Sequence, residues 1–251
     1  MVKPIQLSVL LTIFIWIVSF SSASAESYMG LGVGKSLRQT ISGFEGNDDS
    51  AYGDSFQVSI ADLDSGSSTA SGIKLGHFFK DLYGFGLEFN YSFSNPDVVK
   101  EEVQVSIVST PTGVFAGQST GNFLVSTDIN YLSTFGALLV WRVTDRQFLM
   151  NLDGLEPYAG IGIGLSFLDI EKFTVLNTDE SLVGETSSEN SSSVGLLITA
   201  GLNYTLTKHM KVYGEFKYKD ANFEFDELDE GIEYEFDAIE SSLVFGLSYH
   251  F

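Results

Sequence analysis

Three histidines, His77, His209 and His250, carry the only imidazoles in this 251-residue sequence. A histidine-assisted nucleophile needs the ring within hydrogen-bond reach of a hydroxyl, so the placement of these three decides whether such chemistry exists. The sequence has no cysteine, which removes thiol nucleophiles, thiolate metal sites and disulfides. Charge is the other conspicuous feature: 33 acidic against 13 basic side chains, a net of −20. The densest acidic stretch holds Glu224, Asp226, Glu227, Asp229, Glu230, Glu233, Glu235 and Asp237. Carboxylate oxygens suit Ca²⁺ or Mg²⁺, but an EF-hand counted from Asp226 puts Leu228 at its third position. A solvated, self-repelling segment with at most weak divalent-cation binding is expected there, and no cofactor. Nucleic acid is disfavoured, because phosphates are met by clustered Lys and Arg. Two glycine stripes, Gly30-Gly32-Gly34 and Gly160-Gly162-Gly164, fail as nucleotide loops: after Gly160 and Gly162 the third position is Leu165.

The elements that position these residues follow from a period of two. Ile239, Leu243, Phe245, Leu247, Tyr249 and Phe251 alternate with Glu240, Ser242, Val244, Gly246, Ser248 and His250. Phe85, Leu87, Phe89, Tyr91 and Phe93 alternate with Gly86, Glu88, Asn90 and Ser92, and 157–168 and 192–206 behave alike. Side chains alternate across a strand, so each segment has one apolar face and one small or polar face. Strands are expected over 27–37, 68–79, 84–94, 127–143, 157–168, 192–206, 210–223 and 238–251.

Lys3, the apolar run from Ile5 to Phe20 and the small residues Ser21-Ser22-Ala23-Ser24-Ala25 have the form of a cleaved export signal. The expected division is a signal peptide at 1–25 and one domain at 26–251. Connections alternate between shorter (80–83, 144–156, 207–209) and longer (38–67, 95–126, 169–191, 224–237). Short turns on one side and long loops on the other, with apolar faces rich in Phe and Tyr, fit an outer-membrane barrel better than a soluble sandwich. An open sheet cannot sit in lipid with unpaired edges, so the strands must close. The expected fold is all-β, a closed antiparallel up-and-down transmembrane β-barrel of about eight strands. Tyr131 and Trp141, ten residues apart on one face, would mark the two interfaces, as would Phe85 and Phe93. Val103–Ile107 with Phe123–Val125, and Phe56, Val58 and Ile60 with the start of the next strand, are alternative hairpins that would make ten strands. They are read instead as strand extensions above the membrane.

Charge then sorts by region. Acidic residues number six in 38–70, four in 95–128, six in 169–192 and ten in 219–240, against Arg38, Lys100, Lys172 and Lys219. The acidity belongs to the external surface. Inward positions carry Lys74, Glu88, Arg142, Glu215 and Lys217, with Glu240 toward the external end. Buried charges must pair, so a salt-bridged lumen is expected, with the glycine stripes leaving room for long side chains. All three histidines fall at the periplasmic rim, away from any external nucleophile, and no catalytic or metal-binding residue is assigned.

The alternating strands and the ending Gly246-Leu247-Ser248-Tyr249-His250-Phe251 resemble the small outer-membrane β-barrel family that includes the OmpA transmembrane domain and opacity-type adhesins. The resemblance implies an outer-membrane location, contact with membrane lipid and lipopolysaccharide, and recognition of the terminal Phe251 by the barrel-assembly machinery. OmpA-like proteins carry a peptidoglycan-binding domain after the barrel, and this sequence ends at the last strand, so tethering to the cell wall is not expected. Three functions are weighed: a structural or interaction protein with a plugged lumen, a narrow or laterally opening channel for small or apolar solutes, and a lipid- or peptide-modifying enzyme. The first is preferred, as a monomer.

Overall fold

The computed structural model describes residues 26–49, 55–60, 63–65, 68–79, 82–95, 99–109, 117–143, 154–179, 181–186, 188–228 and 232–251. The expected signal segment 1–25 and the centre of the 144–156 turn lie outside these residues, as do Asp229 and Glu230. The strands are β1 (Glu26–Asp49), β2 (Ser55–Ile60), β3 (Leu63–Ser65), β4 (Thr69–Phe78), β5 (Phe85–Asn95) and β6 (Val99–Ser109). They continue as β7 (Gly117–Arg142), β8 (Leu155–Asn177), β9 (Leu182–Thr186), β10 (Glu189–Thr205), β11 (Met210–Leu228) and β12 (Ile232–His250).

Eight strands close the ring in the order β1-β4-β5-β7-β8-β10-β11-β12, every pair antiparallel, with β12 returning to β1 along Tyr28–His250 to Asp48–Ile232. Closure leaves no edge of the ring unpaired, which is the condition for standing in lipid. The eight expected strands are all present. A tight turn joins β4 to β5, with Leu82 O accepting from Phe85 N at 2.9 Å. Tyr83 and Gly84 there take φ of 46° and 89°, a left-handed pair that costs glycine nothing and tyrosine something.

The strand extensions expected above the membrane at 56–60, 103–107 and 123–125 are present, and strand reaches further into the long connections than the expected bounds. Most of 38–67, 95–126, 169–191 and 224–237 is strand, not loop. β6 continues the line of β5 along β7, pairing Val103 with Phe123. β3 and β2 continue the line of β4 along β1, and β9 continues β10 along β8. The segment 56–60 pairs with the outer end of β1 and with β6, not with the start of β4. The eight-strand wall therefore runs on past its apolar band.

The physical reason is that the alternation persists while its sign reverses. On β8, Ile161, Ile163 and Leu165 face outward at 56, 64 and 42% exposure, with Gly160, Gly164 and Ser166 inward. Past Phe167 the outward residues become Asp169 and Glu171, and the inward ones are the buried Leu168 and Ile170. β11 does the same: Phe216 and Tyr218 give way outward to Asp220, Asn222 and Glu224, while Lys217 and Lys219 give way inward to Ala221 and Phe223. A bulge around Asp128–Tyr131 turns both Ile129 and Leu132 of β7 inward. Val125, Ile129, Leu132, Leu168, Ile170 and Phe223 thus form a buried apolar layer at the outer end. The wall below that layer is apolar outside; at the layer it is apolar inside.

Aromatic rings mark both limits of the apolar band. Phe93 stacks with Tyr131 at 6.0 Å near the outer limit, and Phe85 meets Trp141 at 6.4 Å near the inner one. Trp141 donates Nε1–H to the Tyr83 carbonyl at 3.2 Å, a polar handle at the edge of the band.

Candidate functional site

The lumen is the candidate site. Its charged side chains come from alternate positions of the wall strands and stack as three tiers. The middle tier is built by β4, β5 and β11. Lys74 Nζ lies 2.9 Å from Glu215 Oε2 and 3.8 Å from Glu88, and Lys217 Nζ lies 3.0 Å from Glu215 Oε1. Tyr28 donates to Glu88 at 2.5 Å and Tyr158 to Glu215 at 2.5 Å. The Lys74 ammonium also donates to Tyr158 OH at 3.1 Å and sits 3.7 Å over the Tyr213 ring. Two ammonium groups face two carboxylates, so the tier is neutral, which is what buried ions require.

The outer tier is one pair: Lys219 Nζ lies 2.8 Å from Glu240 Oε2, which also accepts from Ser94 Oγ at 3.2 Å. Glu240 Oε1 has no hydrogen-bond partner among the described residues, and Glu240 lines a cavity of about 10 Å³ shared with Lys74, Lys217, Lys219, Ser92 and Ser242. That volume holds about one water.

The inner tier joins Glu26, Glu156, Arg142, Lys211 and His250. Arg142 pairs with Glu26 and, at 3.7 Å, with Glu156; Lys211 reaches Glu156 at 2.7 Å and Glu26 at 3.3 Å. Phe78 lies 4.0 Å beneath the Arg142 guanidinium.

The six lumen charges taken from the sequence therefore divide. Lys74, Glu88, Glu215 and Lys217 come together, whereas Arg142 belongs to the inner tier and Glu240 to the outer. Sequence reasoning missed Glu26, Glu156, Lys211 and Lys219 and the three tyrosines. A signal existed on β11, where Lys211, Tyr213, Glu215, Lys217 and Lys219 share one parity. Assigning Lys219 to an external loop hid its inward face.

The glycine stripes have a more specific role than room for charge. A Cβ at Gly30 would meet Lys74 Cγ at 3.0 Å, but one at Gly32 would meet the Tyr213 hydroxyl at 2.5 Å, and one at Gly76 or Gly246 would overlap Tyr28 or Tyr213. Gly160 and Gly164 face Val140, Thr199, Thr134 and Leu197, not the charges. The second stripe seats an apolar cluster of Tyr28, Phe78, Leu138, Val140 and Leu197.

All three histidines lie at the short-turn end. His77 Nδ1 is 2.9 Å from Ser27 Oγ, and His209 Nδ1 is 2.9 Å from the His250 carbonyl. Ser248 Oγ is 3.0 Å from His250 Nε2, and His250 Nδ1 is 2.6 Å from Glu26 Oε1. This is the atom order of a hydrolytic triad. Ser248 is only 3% exposed, however, and Glu26 is also shared by Arg142 and Lys211. Among the described residues no group of three or more His, Asp or Glu is arranged to hold a metal. Phe251 is 65% exposed at the inner rim, its N–H donating to Ser27 O and its ring edge-on to Tyr249 at 5.2 Å.

A family model described as outer membrane protein beta-barrel domain matches residues 9–251. Similar solved structures include Neisserial surface protein A (13% identity, 90% of this chain and 98% of that one, TM-score 0.48). OprG from Pseudomonas aeruginosa is another (14%, 91% and 96%, 0.44), as is Ail of Yersinia pestis with a heparin analogue (14%, 91% and 99%, 0.37). No curated protein matches the sequence.

Proposed function

The chain belongs to the outer membrane protein β-barrel domain family, and on that footing we propose that it is a surface barrel with a structural or interaction role, closed to solutes and without catalytic turnover. The supporting observation is the filling of the lumen. Three charge-balanced tiers are stacked below a buried layer of Val125, Ile129, Leu132, Leu168, Ile170 and Phe223. A hydrated ion entering this column would have to separate paired charges and then cross an apolar stratum, each costing several kcal/mol. What meets the surroundings is the acidic outer wall, raised above the band by continued strands. In this proposal residues 1–25 direct export and are removed, Phe251 presents the terminal strand to the assembly machinery, and the barrel works as a monomer in outer-membrane lipid.

Planar-bilayer recording on the refolded barrel tests the closed lumen. The expected result is no stable conductance above the lipid baseline. Discrete, sustained channels would replace this proposal with a narrow pore.

A further inference from the structure

Above the lipid band the ring of strands does not stay closed. β10 and β11 pair from Thr205–Lys211 to Leu196–Asp220, and among the described residues their ladder ends there. Both strands run on outward, each with a ladder on its far side. β10 stays paired with β8 to Glu189–Ile170, and β9 continues along β8 to Leu182–Leu176. β11 stays paired with β12 to Leu228–Ile232. A seam therefore splits the outer wall between β11 and the line of β9 and β10.

The seam opens just past the change in polarity of the outward face. At Gly195 the two backbones are still in contact, since a Cβ there would overlap the Asp220 carbonyl. Beyond it a side chain stands in for the ladder: Ser191 Oγ donates to Glu224 O at 2.5 Å. Lower on the same strand, Phe216 O accepts from Thr199 Oγ1 of β10 at 3.3 Å. Successive residues aim their backbone groups to alternate sides of a strand, so Glu224, like Phe216, turns its N–H and C=O toward β10. A strand edge held by a single hydroxyl is a template for another chain.

The two edges set the chemistry of an occupant. Residues 182–195 and 220–228 include Glu185, Glu189, Asp220, Glu224, Asp226 and Glu227, and neither Lys nor Arg. Like charges facing one another on paired strands destabilise and opposite charges stabilise. A second copy of this chain would bring the same acidity and be repelled, whereas a basic strand is attracted. On β11 Glu224 is exposed outward, while Ala221 and Phe223 are turned inward and buried with the apolar layer. A strand laid beside them needs Lys or Arg on its outward face and apolar side chains on its inward face.

We infer that this seam is a β-augmentation site: an extended segment of another polypeptide, alternating basic with apolar residues, pairs with β11 beyond Asp220 and displaces the Ser191 hydroxyl from Glu224. The inference names a partner class for the interaction role proposed above and rests on that role.

The test titrates the full barrel, in neutral detergent, with a fluorescent octapeptide of alternating Lys and Val. Polarisation should report binding. An alternating Lys-Pro octapeptide has the same charge but no usable N–H at every second position, and it should bind at least about tenfold more weakly; an alternating Glu-Val octapeptide should not bind. Hydrogen exchange should slow within 221–228 when the Lys-Val peptide is bound and stay unchanged within 211–219. Glu224→Gln should weaken binding about threefold through charge alone, and Glu224→Pro about fivefold further through the lost N–H. Glu102→Gln on β6 should leave it unchanged. Heat-modifiable migration on gels reports folding; if the proline variant does not fold, the exchange pattern of the parent decides. Equal binding of the Lys-Pro peptide, binding without protection at 221–228, or a folded Glu224→Pro variant that binds like Glu224→Gln would overturn the site. Self-association of the barrel that protects 221–228 without peptide would make the occupant a second copy and overturn the basic partner. Conductance by the parent barrel would sink the closed lumen while leaving these readouts untouched, and failure of the peptide to bind would leave the closed lumen standing.

Discussion

Strand β8 passes through two different environments within 23 residues. Its inner half points isoleucine and leucine outward and glycine and serine inward; its outer half points Asp169 and Glu171 outward and buries Leu168 and Ile170. The same β geometry serves both halves, because a pleated strand only sorts side chains to two faces. Which face is apolar depends on what lies outside. Where lipid is outside, polar groups gather in the lumen and must satisfy one another; where water is outside, the ordinary rule returns and the lumen becomes a hydrophobic core. The two halves are therefore stabilised by different interactions, and they should fail differently.

The largest effect should come from breaking charge balance in the inner half. Glu215 is 1% exposed and faces Lys74, Lys217 and Tyr158. Glu215→Leu leaves two ammonium groups beside the single carboxylate of Glu88 and should cost about 3–5 kcal/mol. Urea unfolding in lipid vesicles measures it. Adding Lys74→Met restores balance and should recover a substantial part of the loss. If the double variant is no better than the single one, charge pairing is not what holds this tier.

The outer half should respond to volume instead. Phe223 is fully buried in the apolar layer, and Phe223→Ala should cost about 3 kcal/mol. The loss should be local: limited proteolysis should open the outer wall at lower protease, while the lipid-embedded band stays protected. Simultaneous loss of protection in both halves would mean they unfold as one unit.

One substitution walked along a single face sharpens the contrast. Ile163 and Glu171 both face outward on β8. Ile163→Lys should cost about 2–4 kcal/mol at the middle of the band, whereas Glu171→Lys should change stability by less than about 0.5 kcal/mol. Similar costs at both positions would erase the boundary placed between Phe167 and Asp169.

The inner half was the legible one. Alternation such as Phe85-Gly86-Leu87-Glu88-Phe89 announces a strand with apolar outside, and the ring strands and their closure follow from it. The outer half was legible only in part, at the strand extensions around 56–60, 103–107 and 123–125; on β8 Leu168-Asp169-Ile170-Glu171 alternates just as regularly but with reversed sign, so a search for one apolar face ends at Phe167. The lumen was half legible for a related reason. Parity identifies which side chains point inward, but pairing depends on the stagger between strands. Arg142 and Glu215 share the inward side without sharing partners, and only register separates Glu26 and Glu156 from the middle tier.

The smallest expected effect lies at the outermost described turn, where the outer wall meets water and electrostatics is weakest. Asp179 accepts from Ser181 N at 3.0 Å and from its hydroxyl at 2.6 Å, and these hydrogen bonds, the hydroxyl's foremost, hold its carboxyl below the usual aspartate value. A lowered folded-state pKa makes the contact fully stabilising above the unfolded value near 4, and the contribution is lost as pH falls through the lowered value. Because the group is fully exposed, global stability should barely move. The change should appear instead in the Ser181 amide resonance, titrating with a midpoint below that of an unstructured aspartate. Asp179→Asn should abolish that titration while leaving the β8–β9 pairing at Val175–Gly184 intact. A midpoint at or above the ordinary value would show that the turn is not held by this carboxylate.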